Sequence, residues 1–384
     1  MKVELHRPRG ERCDRLSWWC RTPCRVVSDL DIARWRLRSQ HLVEPHLSSA
    51  GDVVGALLAV QAENPSQSAW AVAARTAGPD PGDLARLLDD GTVVRTHVLR
   101  PTWHYVLARD IAWLTEITSP RVRLTTQQQL RAVHGMDEGA ISVVSTAVLD
   151  ALEPSDLTRV ELAGVLSDAG LELTGQALMI LLADLELQSL VCSGRPTADG
   201  THTYARFADR VPSPRQLDHD EALAELALRY FTGHGPATER DLSYWATLRL
   251  GDVRAGLAQV SDQLASFEHD GRTFWHAPAD GPTAPGSPTG HLLQILDETY
   301  RGYQDSRWVL DGAHVVPRTR ETAAGMALVD AQLVAALKRA VTADRVRFEL
   351  RSYRPLRADE VDVLEAAAGR YGHFLGRAAA LELR

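Results

Sequence analysis

Gln61 and Glu63 are the residues whose types and spacing best suit chemistry in this chain. They close the run Leu57-Leu58-Ala59-Val60-Gln61-Ala62-Glu63-Asn64. Read from the sequence, this is an apolar helix leaving its last turn on an amide and a carboxylate. Residues two apart on a helix point to different faces, so both reach one space only where the helix ends. The next residues support an end there. Pro65 restricts Asn64 and lacks a backbone donor, and Ser66 can cap the helix that follows. A carboxylate beside a neutral amide can position and activate a water molecule. The plainer reading is that both are solvated polar residues at a helix end, where carboxylates are mostly found.

Other catalytic patterns are missing. The chain has no Gly-rich phosphate loop with a Lys, no HExxH and no GxSxG. Its Ser, His and Asp residues are too scattered to suggest a triad. Cys13, Cys20 and Cys24 lack the paired spacing of a metal site, and Cys192 stands alone. Reduced thiols, no metal and no cofactor are expected.

The elements that would carry Gln61 and Glu63 repeat. At 384 residues, two to four modules are expected. Residues 1–27 read as a poorly ordered extension without a secretory h-region. The first unit, 28–139, opens a helix at Ser28-Asp29-Leu30-Asp31. A second helix runs from Ser49 to Glu63, a third from about Ser66 to Thr76, and a short one over Leu84 to Leu88. Val93–Leu99 and Thr102–Leu107 then form a β-branched, aromatic hairpin with Pro101 in its turn. A helical connector follows from about Arg109 to Glu153. The second unit, 140–212, places helices from Leu157-Thr158 to Ala169 and from Thr174 to Leu187, then strands at Val191–Ser193 and Thr203–Phe207. The third, 213–280, has helices from Asp218, Thr238 and Leu250 and a hairpin turning on Asp270-Gly271. Two or three helices followed by a two-stranded wing describe a winged helix-turn-helix.

A loop rich in Gly, Pro, Ser and Thr opens the last module, 281–384. This module is expected to be small, α+β or barrel-like, with an alternating strand at Val346–Arg351 and a final helix from Asp359 to Leu375. The fold class is therefore mainly α with β-hairpin wings (α+β): three tandem winged units plus a small β-containing C-terminal domain.

Charge bears on the partner. The net charge of −8 argues against nucleic acid, because phosphate contact is mainly electrostatic. Yet only Lys2 and Lys338 are lysines among 42 basic residues. The remainder are arginines, whose planar forks suit phosphate, and an acidic protein can still carry a local basic channel. No apolar run is long enough to span a bilayer, and a cytoplasmic protein is expected.

Leu57 to Glu63, Val94-Arg95-Thr96, Arg100-Pro101-Thr102-Trp103-His104, Asp297-Glu298 with Gly302-Tyr303-Gln304-Asp305, Tyr353-Arg354-Pro355-Leu356 and Arg370 to Gly376 occur in this order. In that order the chain resembles the winged-helix DNA-binding-domain proteins that include bacterial DNA glycosylases for interstrand crosslinks and bulky alkylated bases. The resemblance covers roughly residues 28–384. It implies three tandem winged helices around a concave channel, closed by a small β-rich domain, and hydrolysis of an N-glycosidic bond in damaged double-stranded DNA without metal or cofactor. That family's motif is Gln, any residue, then Gln or Asp. Gln61 fits, while Glu63 adds a methylene to the carboxylate branch.

An alkylated purine is already a good leaving group. What remains is to stabilise a cationic sugar and deliver water. Glu63 would attract that cation and accept the water's proton, with Gln61 orienting the water. Thr102, His104, Arg95 and Arg100 would meet DNA around an open, arginine-walled trough, although His104 also suits a partly buried hydrogen-bond role. Trp70, Trp103, Trp245 and Trp275 read as core. Asp297-Glu298 suits a cap or an arginine partner better than a paired-carboxylate site. The rival readings are a non-catalytic DNA-binding regulator or resistance protein and, more remotely, a protein-contact module.

Overall fold

Helix starts follow local chemistry throughout this computed structural model, which describes residues 27–173, 175–278, 281, 288–318 and 324–384. The expected extension, Val27 apart, and Cys13, Cys20 and Cys24 lie outside the described residues. Ser28 and Asp31 form a reciprocal capping box that starts α1 (Asp29–Ser39). Ser49 accepts from the Asp52 N–H to start α2 (Ala50–Leu57).

Here the chain departs from expectation. α2 ends at Leu57, because Leu58 takes a left-handed φ of 65°. Val60–Gln61 is instead a short strand, β1. Leu57 to Val60 are four consecutive residues with no exposed surface. A one-faced surface helix cannot bury every side, whereas a turn into an interior strand can. Pro65 then occupies the first turn of α3 (Pro65–Ala73), capped at Asn64 rather than Ser66.

After α4 (Pro81–Asp90), β2 (Val93–His97) and β3 (Trp103–Leu107) form the expected hairpin. β3 is the middle strand, with β1 on its free edge, so Gln61 pairs with His104 and Val60 with Tyr105. The connector is two helices, α5 (Ile111–Ala132) and α6 (Glu138–Ala151), broken near Gly135. The next group contains β4 (Leu157–Thr158), α7 (Arg159–Asp168), α8 (Gly175–Glu186), β5 (Val191–Ser193) and β6 (Thr203–Arg206). Thr158 and Glu161 supply its capping box.

A four-residue helix, α9 (Phe207–Arg210), leads to α10 (His219–Gly233), α11 (Glu239–Ala246) and α12 (Leu250–Val260). Close packing of α10 on α12 requires Gly256, since a Cβ there would sit 2.3 Å from the Leu223 carbonyl oxygen. The hairpin β7 (Ala265–His269) and β8 (Arg272–His276) turns on Asp270-Gly271, both at positive φ, as expected.

The C-terminal module is an open five-stranded sheet, not a barrel. It holds β9 (Gly290–Leu293), then α13 (Glu298–Arg301), β10 (Gly325–Val329), β11 (Gln332–Val341), β12 (Arg345–Ser352), α14 (Ala358–Phe374) and β13 (Ala378–Leu383). The order is β13-β12-β11-β10-β9, and only the β12–β13 pair, joined through α14, is parallel. β12 alternates buried and exposed residues as its sequence suggests. Trp70 on α3 stacks on Tyr371 of α14 at 4.4 Å and donates to the Leu292 carbonyl, which docks the sheet and α14 on α3. The described residues therefore form a mixed helical and β fold. None of their helices is long and apolar enough to cross a membrane.

Candidate active site

β1 and the start of β3 bring Gln61 and Glu63 to adjacent residues. The Gln61 side-chain amide donates to Thr102 Oγ1 at 3.1 Å. One residue on, the Trp103 backbone N–H donates to Glu63 Oε2 at 3.2 Å. Gln61 is buried at 1 % exposure, and its Oε1 accepts from the Ala62 N–H. Glu63 is exposed. The amide therefore fixes the strand edge, and the carboxylate faces outward.

Glu63 opens on a cleft of about 330 Å³. One wall is the β2–β3 hairpin, through His97, Pro101 and Trp103; the other is α5 and α8, through Thr125, Thr126, Gln129, Gln176, Met179 and Ile180. The size and mixed apolar and amide lining suit a small organic group. A cavity of about 420 Å³ lies elsewhere, between α3, β9 and α14, and is not lined by Glu63.

The expected arginine wall is not what lines this cleft. Arg95 is buried, with its Nε donating to the Ala62 carbonyl and its guanidinium 4.3 Å over the Trp103 ring. Arg100 is buried as well. It donates to the Arg301 carbonyl at 3.0 Å and contacts His104 Nε2 at 3.3 Å. His104 has no exposed surface, and its Nδ1 bonds the Thr102 carbonyl. Burial first, then the nearby Arg100 charge, pushes the His104 imidazole down to about 3. Arg95, Arg100 and His104 as phosphate contacts are thus corrected: the fold spends them on backbone carbonyls and rings. Thr102, half-buried, holds Gln61 with its hydroxyl.

Glu298 lies behind this layer without exposed surface. It accepts from the Gln61 backbone N–H at 3.1 Å and the Trp245 indole N–H at 2.9 Å, with His234 at 3.4 Å and Arg100 at 4.0 Å. Burial by itself would raise this carboxyl, but His234 and the Arg100 charge outweigh it and hold it down at about 2. Its neighbour Asp297 caps α13 and pairs with buried Arg75 at 2.9 Å, the cap and arginine partner expected.

Comparison with known proteins decides what this arrangement belongs to. A family model described as DNA glycosylase AlkZ-like matches residues 54–374. The chain belongs to the AlkZ-like DNA glycosylase family. Among relatives of this family, the interstrand DNA cross-link repair glycosylase of Streptomyces sahachiroi is 25% identical over 268 residues, 66% of this chain and 72% of that protein. The solved Streptomyces sahachiroi DNA glycosylase AlkZ has the same fold, with a TM-score of 0.74 and 20% identity over 92% of this chain and 98% of that one. The AlkZ-like assignment agrees with the resemblance seen in the sequence and makes the protein a DNA glycosylase.

Around Glu63, the sequence missed two groups, His97 and Glu186. Trp103 is half-buried, packs against the apolar core beneath β1 and β3, and also lines the cleft. Its indole N–H donates to Glu186 Oε1 at 3.3 Å, and Glu186 Oε2 also bonds His97 Nδ1. His97, on β2, and Glu186, on α8, are 89 positions apart. Only the aromatic-rich hairpin hinted at them.

Proposed function

We propose that this protein removes alkylated or crosslinked bases from double-stranded DNA by metal-independent hydrolysis of the N-glycosidic bond at the Glu63 cleft. Three helix-and-hairpin groups act as winged helices around a DNA channel, with units at 28–139, 140–212 and 213–280 and the sheet module at 281–384 closing it. One observation carries the reading: an exposed carboxylate, fixed by the Trp103 N–H, stands at the mouth of a cleft sized for a small organic group.

In the reaction the C1′–N bond breaks and its electron pair leaves with the base. The Glu63 carboxylate faces the developing sugar cation and takes the proton of the water that adds to C1′. Low charge reorganisation is needed, because the carboxylate is already oriented by a backbone donor. Gln61 is a positioning residue: buried, it fixes Thr102 and its backbone N–H is anchored on Glu298. An extruded base costs a few kcal/mol to unstack, about a few for a normal pair and less for a lesion, which favours damaged sites at entry.

The test is incubation with a duplex carrying one N7-methylguanine. Free base and an alkali-labile abasic site are expected, unaffected by a chelator. Tight duplex binding with no base released at any enzyme concentration would leave a non-catalytic DNA-binding protein instead.

A further inference from the structure

A second cavity, of about 420 Å³, lies between α3, β9 and α14 and does not include Glu63. Small residues make the room: Ala74 on α3 and Ala367 on α14 stand where two helices meet the edge strand β9. Leu42, Trp70, Leu292 and Val363 extend an apolar lining. Protein interiors are close-packed and seldom leave a space of this size, which falls within the range of small-molecule sites. The run Arg370 to Gly376, prominent in the sequence, takes no part in the Glu63 cleft. Its first residue lines this cavity, and its second, Tyr371, holds Trp70 in the stack that joins α14 to α3.

Two polar groups in the lining have hydrogen-bonding capacity to spare. His291, on β9, is 8 % exposed, and its Nε2 lies 3.2 Å from the Thr289 hydroxyl. Its Nδ1 bonds no protein group among the described residues and is not sealed from solvent, so it opens on the cavity. Burial first, then the Arg370 charge, pushes this imidazole down to about 3, and the ring is neutral near pH 7. With the Thr289 hydroxyl donating to Nε2, a neutral ring presents Nδ1–H.

Arg370 stands at the rim, its stem exposed and its head turned onto β9. One Nη donates to the Gly290 carbonyl at 2.8 Å, which puts the guanidinium one peptide away from His291. It forms no ion pair among the described residues, whereas Arg354 of the same module is held by Glu360 at 2.7 Å. Partial burial, with no carboxylate to offset it, lowers the Arg370 guanidinium from its ordinary value. Glu44 is the one carboxylate among the described lining residues, and its side chain is 84 % exposed. A partly desolvated cation beside a buried N–H favours an acceptor that carries negative charge.

We propose that this cavity binds a small organic acid, its apolar body between α3 and α14 and its carboxylate between Arg370 and His291. The planar guanidinium offers donors that match a carboxylate, and Nδ1–H adds another. A single arginine balances a single negative charge. The ligand is therefore a monoanion with a hydrocarbon body, not a polyphosphate or a DNA strand. The site stands independently of the chemistry at Glu63.

The experiment is calorimetric titration of the full chain with benzoate, cinnamate and hexanoate, each compared with its alcohol, at low salt. Saturable binding of at least one acid is expected, tighter than its alcohol by roughly tenfold or more, the worth of charge-assisted hydrogen bonds. Arg370→Gln should erase that preference while leaving the alcohols unaffected. Because Arg370 is exposed, the variant should melt within about 2 °C of the wild type. Glu63→Gln should bind the acids as the wild type does. No saturable binding of any acid up to about 10 mM, equal affinity for acids and alcohols, or an unchanged preference in Arg370→Gln would overturn the proposal. Tighter acid binding by Glu63→Gln would place the probes in the Glu63 cleft and overturn it as well.

Discussion

Trp103 donates its backbone N–H to Glu63 and its indole N–H to Glu186, so one residue orients two acids from distant parts of the chain. Arg95, stacked on the same ring and bonded to the Ala62 carbonyl, stiffens the assembly. The cleft is therefore built on a strand pair rather than on a mobile loop, which favours a fixed reaction geometry.

Thr102→Val should separate positioning from binding. It removes the oxygen that takes the Gln61 amide proton and keeps the shape of the side chain. Base release should slow by about tenfold, because small displacements in an oriented site are costly. Duplex affinity and melting temperature should change little. Unchanged single-turnover rates would show that the Gln61–Thr102 contact is incidental.

Glu298 should make stability acid-sensitive. Its folded value of about 2 lies below the ordinary 4.5, so its stabilisation is complete above about pH 4.5 and lost as pH falls toward 2. Glu298→Gln should weaken the pH dependence of unfolding in that window. It should also destabilise the protein by roughly 3–5 kcal/mol, because Arg100 is left buried without its countercharge. Denaturant unfolding at pH 7 and at several values from about pH 4.5 down to about 2.5 measures both effects.

A second acid-sensitive window follows from the buried imidazoles. His104, His202 and His291 are each pushed down to about 3, primarily by burial and then by a neighbouring arginine. Between about 6.5 and 3 the unfolded chain binds protons that the folded one refuses, so stability falls as pH drops through that range. Replacing His291 with Asn should reduce the proton uptake on unfolding by close to one. Calorimetry in two buffers would detect it, and no change would show that His291 is protonated in the fold.

Gly256→Ala tests how closely α10 and α12 approach. The new methyl would meet the Leu223 carbonyl oxygen at 2.3 Å, and backbone cannot yield as a side chain can. A loss of about 1–3 kcal/mol is expected from overpacking. A neutral result would mean that these helices slide apart freely.

Local signals in the sequence were reliable where they were short-range. The capping residues Ser28, Thr158, Asp218 and Thr238 start helices where they should, and Asp270-Gly271 turns its hairpin. The end of α2 was illegible, since Leu58 adopts positive φ for packing reasons that no neighbour announces. The arginines misled for a related reason. Arg95 and Arg100 suit phosphate as residue types, yet each is buried and donates to a backbone carbonyl from another segment, Ala62 and Arg301. Glu298 reaches Gln61 across 237 positions, a contact only the folded chain can show.

The central claim is that the Glu63 carboxylate performs the chemistry. Single-turnover excision of N7-methylguanine by Glu63→Gln, alongside its duplex affinity, tests it most directly. Being exposed, the substitution should alter stability by no more than about 0.5 kcal/mol. The account predicts a rate lower by roughly a hundredfold or more with affinity retained. Excision at the wild-type rate by this variant would contradict it.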